Sequence, residues 1–393
     1  MEISVKKCRL RILQCVSVSL AYMCLPACQS IATYNALSSK DKVLFLPQSE
    51  REIAFTEMEE HSDVAVIKAS STPSQLISGL QLTLSGDLDT YFKQQHLAGL
   101  IVLSGGEVRL EKYAKGLNSE SNWSSFSIAK SVSSTLVGAA IKDGYIKSTD
   151  DLVTDYIPEL KGSAYDNVTI RHLLTMTSGV KWNENYSSPK SEVAKFIRHK
   201  PKTGSNSTIS FMRTLTRKHP VGTRFNYSTG ETNLVGVLLR KATGKSLSAY
   251  LSEKIWIPYG MESDAIWALD QDDEEIGGCC ISARLRDYAR FGQFIMDGAK
   301  INGVSIVPEG WIETATTSRH VFAEHQGYGY LWWTYPNQTY IAKGIFGQQI
   351  AISPEHDYLI VTLSNWPTAT GNPDIRQNRR EMYRDIVNTM FDE

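Results

Sequence analysis

The chain has 393 residues, 42% hydrophobic and 21% charged, with a formal net charge of −1. That length supports one large domain or two modest ones around a sizeable core, and the composition is that of an ordinary globular protein. No run of five or more Lys/Arg occurs. With a charge near zero this excludes a strongly basic surface, and no nucleic-acid partner is expected.

Lys6, Lys7, Arg9 and Arg11 give a basic start, and Ile12 to Leu25 is mostly apolar. That run is too short to span a bilayer comfortably and has the form of a signal-peptide core. Leu25-Pro26-Ala27-Cys28 follows. It resembles the bacterial lipoprotein processing box, in which an aliphatic residue and two small ones precede the Cys that is lipidated; Pro26 departs from that pattern. Two outcomes stay open. Residues 1–27 are removed and Cys28 is lipidated, or an ordinary secretory signal is cut near Ala27. Gln29 after the Cys, by the same resemblance, implies the periplasmic face of the outer membrane; the alternative is a soluble periplasmic or secreted protein. Acyl chains on Cys28 anchor a protein to a membrane without a transmembrane span. Removing residues 1–27 takes away four basic residues and Glu2, so the charge moves from −1 to −4. Cys8, Cys15 and Cys24 leave too, and of the remaining cysteines only Cys279 and Cys280 are unmodified. Adjacent cysteines do not readily meet disulfide geometry, so no disulfide framework is expected.

From Gln29 to about Ser85 no long period appears, and residues 28–85 read as a tether and N-terminal extension over the body. Asp87 to Gln95 is predicted helical. Leu97 to Leu103 and Val108 to Tyr113 are predicted strands, with a tight turn at Gly105-Gly106. Ser127 to Asp143 carries the strongest helical pattern, with Ile128, Val132, Leu136, Ala139 and Ala140 recurring at three and four before Gly144 stops it. Helical patterns dominate residues 151–265, and Leu285 to Met296 forms another helix. Gly327–Thr334, Tyr340–Ile345, Gln349–Ile352 and Tyr358–Leu363 read as successive strands, and a helix follows near Arg379 to Met390. The expected architecture is α+β, an antiparallel sheet flanked by helices and built from both ends of the chain. Residues 86–150 and 266–393 form its α/β catalytic domain, and 151–265 is a mostly helical insertion.

Ser127-Ile-Ala-Lys130 has the Ser-x-x-Lys spacing, which also occurs at Ser39–Lys42, Ser178–Lys181 and Ser187–Lys190. Context separates Ser127 from the rest. It opens an apolar helix, where a spacing of three sets Lys130 on the same face one turn on. The helix N-terminus supplies positive potential and free N–H groups. That environment disfavours a protonated amine and favours an alkoxide, as a Lys acting as base for a Ser nucleophile requires. The alternative at this point is that Ser127 only caps the helix.

Further motifs follow in order: Val168-Thr-Ile-Arg-His-Leu-Leu-Thr-Met-Thr-Ser-Gly179, Pro220-Val-Gly-Thr-Arg-Phe-Asn-Tyr-Ser-Thr229, Gly277-Gly278, and Ser282-Ala-Arg-Leu-Arg-Asp-Tyr-Ala-Arg-Phe-Gly292. From about Leu97 to the C-terminus the set resembles the serine hydrolase superfamily of class C β-lactamases, DD-peptidases and related esterases, which implies a β-lactamase/transpeptidase-like fold. Tyr156-Ile-Pro-Glu-Leu160, Trp182-Asn-Glu-Asn-Tyr186 and Gly344-Ile-Phe-Gly-Gln348 look most similar to the 6-aminohexanoate-dimer (nylon oligomer) hydrolases. The resemblance implies that Ser127 is acylated, that Lys130 takes its proton and that Tyr227 shuttles protons. A phenol suits that role when nearby cationic charge lowers its pKa from about 10. The backbone N–H groups of Ser127 and Ile345 are implied to form the oxyanion hole.

The departures are informative. Thr229 stands where the family's Tyr-x-Asn pattern has Asn. The family's Lys-Thr/Ser-Gly strand motif corresponds to Ala342-Lys343-Gly344-Ile345, with the lysine one place along and so pointing to the opposite face. Phe346 replaces the His of the nylon-oligomer pattern. Tyr186 matches a substrate-contacting tyrosine of those hydrolases or is an exposed loop aromatic, and Trp332-Trp333 lines the acyl pocket or belongs to the core. His172 reads as structural. No His-Glu-x-x-His spacing and no Gly-x-Ser-x-Gly elbow occurs, so no metal, no cofactor and no α/β-hydrolase fold are expected. The expected activity is cleavage of esters or small linear amides through Ser127; a β-lactamase or cell-wall D,D-peptidase and a non-catalytic envelope binding protein are the alternatives. Oligomeric state is left open.

Overall fold

The computed structural model describes residues 43, 46–323 and 325–392; the segment expected to be a signal peptide and Cys28 lie outside them. In chain order the strands are β1 (Val64–Ile67), β2 (Ile77–Ser78), β3 (Leu97–Ser104), β4 (Glu107–Tyr113), β5 (Asn122–Ser124), β6 (Ala265–Ala268) and β7 (Ile281–Arg284). They continue as β8 (Lys300–Ile301), β9 (Val304–Ser305), β10 (His320–Ala323), β11 (Gln326–Tyr328), β12 (Trp333–Thr334), β13 (Tyr340–Lys343), β14 (Gln349–Ser353) and β15 (Tyr358–Ser364). The helices that matter here are α1 (Gln48–Thr56), α2 (Leu88–Gln94), α3 (Ile128–Lys142), α4 (Thr229–Thr243), α5 (Leu285–Met296) and α6 (Pro373–Asp392).

A nine-stranded sheet in the order β10-β11-β12-β13-β14-β15-β3-β4-β2 forms the body, antiparallel except for the β2–β4 pair. Its two ends of chain meet where β15 pairs with β3, Ile360 opposite Val102 and Val361 opposite Ile101. Both strands are buried along nearly their whole length. They read as continuous apolar runs because helices cover both faces. With the period of two, Ile101 and Leu103 face the larger core with Phe291 and Ile295 of α5, while Leu100 and Val102 face Phe92 of α2 and Met382 and Ile386 of α6. Each such side chain contributes about 1.5–3 kcal/mol through burial.

A second sheet, β1-β6-β7-β5, carries the chain to the site. β5 pairs antiparallel with β7, Trp123 opposite Ala283, and runs straight into Ser125, Phe126 and Ser127. This sheet has no counterpart in the sequence-based expectation, because its strands are three or four residues long and come from segments some 200 residues apart. The N-terminal extension is woven in through α1, β1 and β2, and from Val43 on the chain is one compact unit. Between 151 and 264 the regular elements are helices joined by long loops, with isolated bridges and with α4 packed on α3.

Cys279 and Cys280 bring their sulfurs into contact, with Cα atoms 3.6 Å apart. Cys280 adopts φ 73°, a turn that brings the two side chains to one side of the backbone.

Candidate active site

Ser127 is delivered by the small sheet. The Ser125 N–H donates to Ile281 O (2.7 Å) and its hydroxyl accepts from Ile281 N–H (3.0 Å), extending the β5–β7 pairing to the threshold of α3. Ser127 occupies the N-cap position of α3, yet its side chain makes no capping bond. The hydroxyl instead faces Lys130, whose Nζ lies 3.3 Å from Ser127 Oγ. Lys130 is 1% exposed. Its Nζ also donates to Thr229 Oγ1 (3.1 Å) and to Gly278 O (2.6 Å). Burial pulls the amine down to about 8, and the Glu184 carboxylate opposes that shift. Gly278 is in place because a Cβ there would lie 2.9 Å from Asn233 Oδ1 and 3.0 Å from Thr229 O. Only a bare backbone brings this carbonyl so close to α4 and Lys130.

Tyr227 lies in the loop just before α4, with the Lys130 amine 5.3 Å from its ring centroid and the Ser127 side chain near its phenol. Its phenol is pushed well above 10 by burial and by Glu184. That is the opposite of the expected lowering, because desolvation of a phenolate outweighs the single nearby cation. The Tyr227 ring stacks on Trp333, centroids 5.7 Å apart at 24°. Trp332, the tryptophan expected at the pocket, is fully buried against Tyr340. Neighbouring residues on an extended segment point opposite ways, so only one indole of the pair reaches the site.

Ile345 opens a single turn, Ile345–Gly347, after β13. A Cβ on Gly344 would meet Ser125 O at 2.2 Å, so the glycine lets the end of β13 lie against the segment leading to Ser127. Among the described residues neither the Ser127 nor the Ile345 N–H has an acceptor. Lys343 lies on the opposite face of β13 from Ala342. Its strand neighbour Ala342 lies in the larger core, whereas Lys343 pairs with Gln349 on the α6 side and donates to the Tyr335 hydroxyl between the Trp333 and Tyr335 rings. Burial, and then Arg379, pulls its amine to about 7.

Glu184 lies inside the Trp182–Tyr186 stretch with no role expected of it from the sequence, yet it organises the site. Its carboxylate accepts from Thr229 N–H (3.1 Å), from the Thr229 hydroxyl, from Trp182 Nε1–H and from Tyr186 O–H (2.6 Å). Thr229 Oγ1 in turn accepts from Lys130, so the substituted Asn position becomes a hydroxyl bridge between amine and carboxylate. Tyr186 is drawn into the same cluster, its hydroxyl 3.4 Å from Thr229 Oγ1. Besides that stretch, the sequence signal is spacing, since Trp182, Glu184 and Tyr186 alternate in an extended segment and share a side. His172 closes a capping box with Thr169, a structural role.

A serine hydroxyl, a desolvated amine, a phenol and two free N–H groups thus converge, the parts of acyl transfer. The family model described as Beta-lactamase matches residues 87–382. The chain belongs to the β-lactamase family. It is a serine hydrolase on an α+β, β-lactamase/penicillin-binding-protein-like fold. The 6-aminohexanoate-dimer hydrolase of Paenarthrobacter ureafaciens is 30% identical over 325 residues, 78% of this chain and 81% of that protein. A Bacillus anthracis structure assigned as a 6-aminohexanoate-dimer hydrolase superposes with a TM-score of 0.77 at 22% identity, covering 87% of this chain and 94% of its own. The octameric penicillin-binding protein homologue from Pyrococcus abyssi gives a TM-score of 0.56 at 20% identity, covering 73% of each chain. At these identities the two structures speak for the fold.

Proposed function

We propose that this hydrolase cleaves linear amides, and esters as more reactive analogues, through an acyl-enzyme on Ser127. The observation that carries the reading is the desolvated Lys130 amine 3.3 Å from Ser127 Oγ. With a pKa near 8, about a tenth of it is neutral at pH 7. Two of its hydrogens are committed to Gly278 O and Thr229 Oγ1, which leaves the lone pair of the neutral amine for the Ser127 proton. Lys130 takes that proton as Oγ bonds to the carbonyl carbon, and the Ser127 and Ile345 N–H groups stabilise the oxyanion. Tyr227, kept protonated by burial, gives its proton to the departing nitrogen as the C–N bond breaks and recovers one from Lys130. Water, deprotonated by Lys130, then releases the acid and restores Ser127.

The linear amide preference is supported by the relative named for a 6-aminohexanoate dimer and by Lys343, which stands one place along from the family's strand lysine. The test is turnover of the linear 6-aminohexanoate dimer, a p-nitrophenyl ester and nitrocefin by wild type and Ser127→Ala. Ser127-dependent cleavage of the dimer and the ester, with nitrocefin at background, is expected; efficient nitrocefin turnover without dimer cleavage overturns the reading. Export and anchoring through Cys28 belong to the same proposal, supported by the basic start, the apolar run and the processing box. Mass spectrometry of the mature N-terminus tests it: an unmodified first residue removes the lipid anchor.

A further inference from the structure

Beside the Ser127–Lys130–Tyr227 cluster lies a cavity of about 590 Å³ lined by Tyr227 and Glu184 and by Lys181, Lys190, Lys195 and Lys218. That volume lies within the roughly 300–1,000 Å³ of small-molecule sites. Its charges are unevenly satisfied. Lys195 pairs with Glu192, which also lines the cavity, at 3.2 Å. The Glu184 carboxylate is occupied by Trp182, Tyr186 and Thr229. Lys181, Lys190 and Lys218 have no carboxylate partner among the described residues, and all three are exposed. Their backbone is framed rather than loose. Lys181 N–H donates to Thr216 O (2.9 Å) and Lys218 N–H to Gly179 O (2.8 Å), an antiparallel clasp around Val180 and Arg217 that sets the two lysines diagonally across it. Lys190 immediately precedes the N-cap Ser191 of helix Glu192–Ile197.

We propose that this cavity is a subsite for a substrate carboxylate carried on the leaving-group side of the scissile bond. The side follows from Tyr227, which serves the departing nitrogen and lines the cavity, so the assignment rests on the acyl-transfer reading above. The cation expected on β13 faces α6 as Lys343, and the helical region supplies the positive charge instead. Three hydrated ammonium groups on flexible stems attract an anion by charge rather than by a fixed fork, so the selection is for net charge and is screened by salt.

The experiment compares 6-acetamidohexanoate with N-hexylacetamide, amides of matched length with and without the terminal carboxylate, by release of amine. Wild type is expected to favour the carboxylate about tenfold in kcat/KM, mostly through KM, with the preference shrinking as salt rises. The triple variant Lys181→Met/Lys190→Met/Lys218→Met is expected to lose the preference, and Lys218→Glu to reverse it. Equal kcat/KM for the two amides in wild type, or an unchanged ratio in the triple variant, overturns the subsite. Binding to Ser127→Ala, followed by calorimetry, separates the two readings. Tighter binding of 6-acetamidohexanoate with no Ser127-dependent hydrolysis keeps the subsite and removes the acyl-transfer reading. Equal binding with hydrolysis intact does the reverse.

Discussion

Phe126 and Phe346 pack ring against ring, centroids 5.4 Å apart at 64°, and both hold left-handed backbone, φ 47° and 62°. Phe126 precedes Ser127 and Phe346 follows Ile345, so one aromatic contact ties together the two segments that present the free N–H groups. Phe55 of α1 packs on both rings, at 5.0 and 5.6 Å, and the Arg51 guanidinium lies 4.2 Å above Phe346. Left-handed backbone at a bulky residue costs about 1–3 kcal/mol and persists because the surrounding packing over-determines it. Phe346→Ala is expected to lose about 3 kcal/mol of stability in urea unfolding. It should also lower kcat about tenfold or more with little change in KM, as expected when an oxyanion donor is displaced. A KM effect alone would place Phe346 in substrate binding instead.

Burial of Lys130 sets a pH dependence. The neutral amine is the working form and its pKa lies near 8, so kcat/KM should rise about tenfold per pH unit below 8 and level off above it. The same group is linked to folding. Its folded pKa lies below the unfolded value, so the unfolded chain holds the extra proton and stability gains with pH between about 8 and 10.5. Lys130→Met should abolish turnover and remove that gain; pH–rate profiles and melting curves across pH 6–10 check both, as an order-of-magnitude window set by these values.

Glu184 holds the Lys130 pKa up, so removing its charge should move the rate profile toward acid. Glu184→Gln keeps hydrogen-bonding capacity to Thr229 and Tyr186 while losing the charge, and its alkaline-rising limb should shift to lower pH. Glu184→Ala also releases Thr229 and should cost about tenfold or more in kcat. An unmoved limb in Glu184→Gln would reduce Glu184 to a structural tether.

The nucleophile and its helix were legible because α3 combines an apolar period with Ser-x-x-Lys at its start, both local signals. Strands β13, β14 and β15 were legible for the same reason. Glu184 was not, since its meaning depends on Thr229, 45 residues on, folding back to accept from Lys130. Nor was the small sheet, whose pairing of Val64–Ile67 with Ala265–Ala268 leaves no trace in either short segment. The direction of the Tyr227 shift also needed the fold, because desolvation depends on how the stacked Trp333 and the loop enclose the phenol.

Lys343 provides a contrast. Its amine is buried on the α6 side and pulled to about 7, below the unfolded value, so its burial disfavours folding at neutral and lower pH. Lys343→Met should leave ester turnover within about twofold and raise stability at pH 6–7 by on the order of 1–2 kcal/mol, with the gain fading as pH rises. Loss of turnover with normal stability would return Lys343 to the substrate site.

The most direct measurement is acylation itself: intact-mass and peptide-mapping spectrometry after brief exposure to a fluorophosphonate probe, for wild type, Lys130→Ala and Ser127→Ala. A single adduct on Ser127 is predicted in wild type, formed at least about a hundredfold more slowly in Lys130→Ala and absent from Ser127→Ala. An adduct on another residue, or equal labelling of wild type and Ser127→Ala, would contradict Ser127 as the acylated nucleophile.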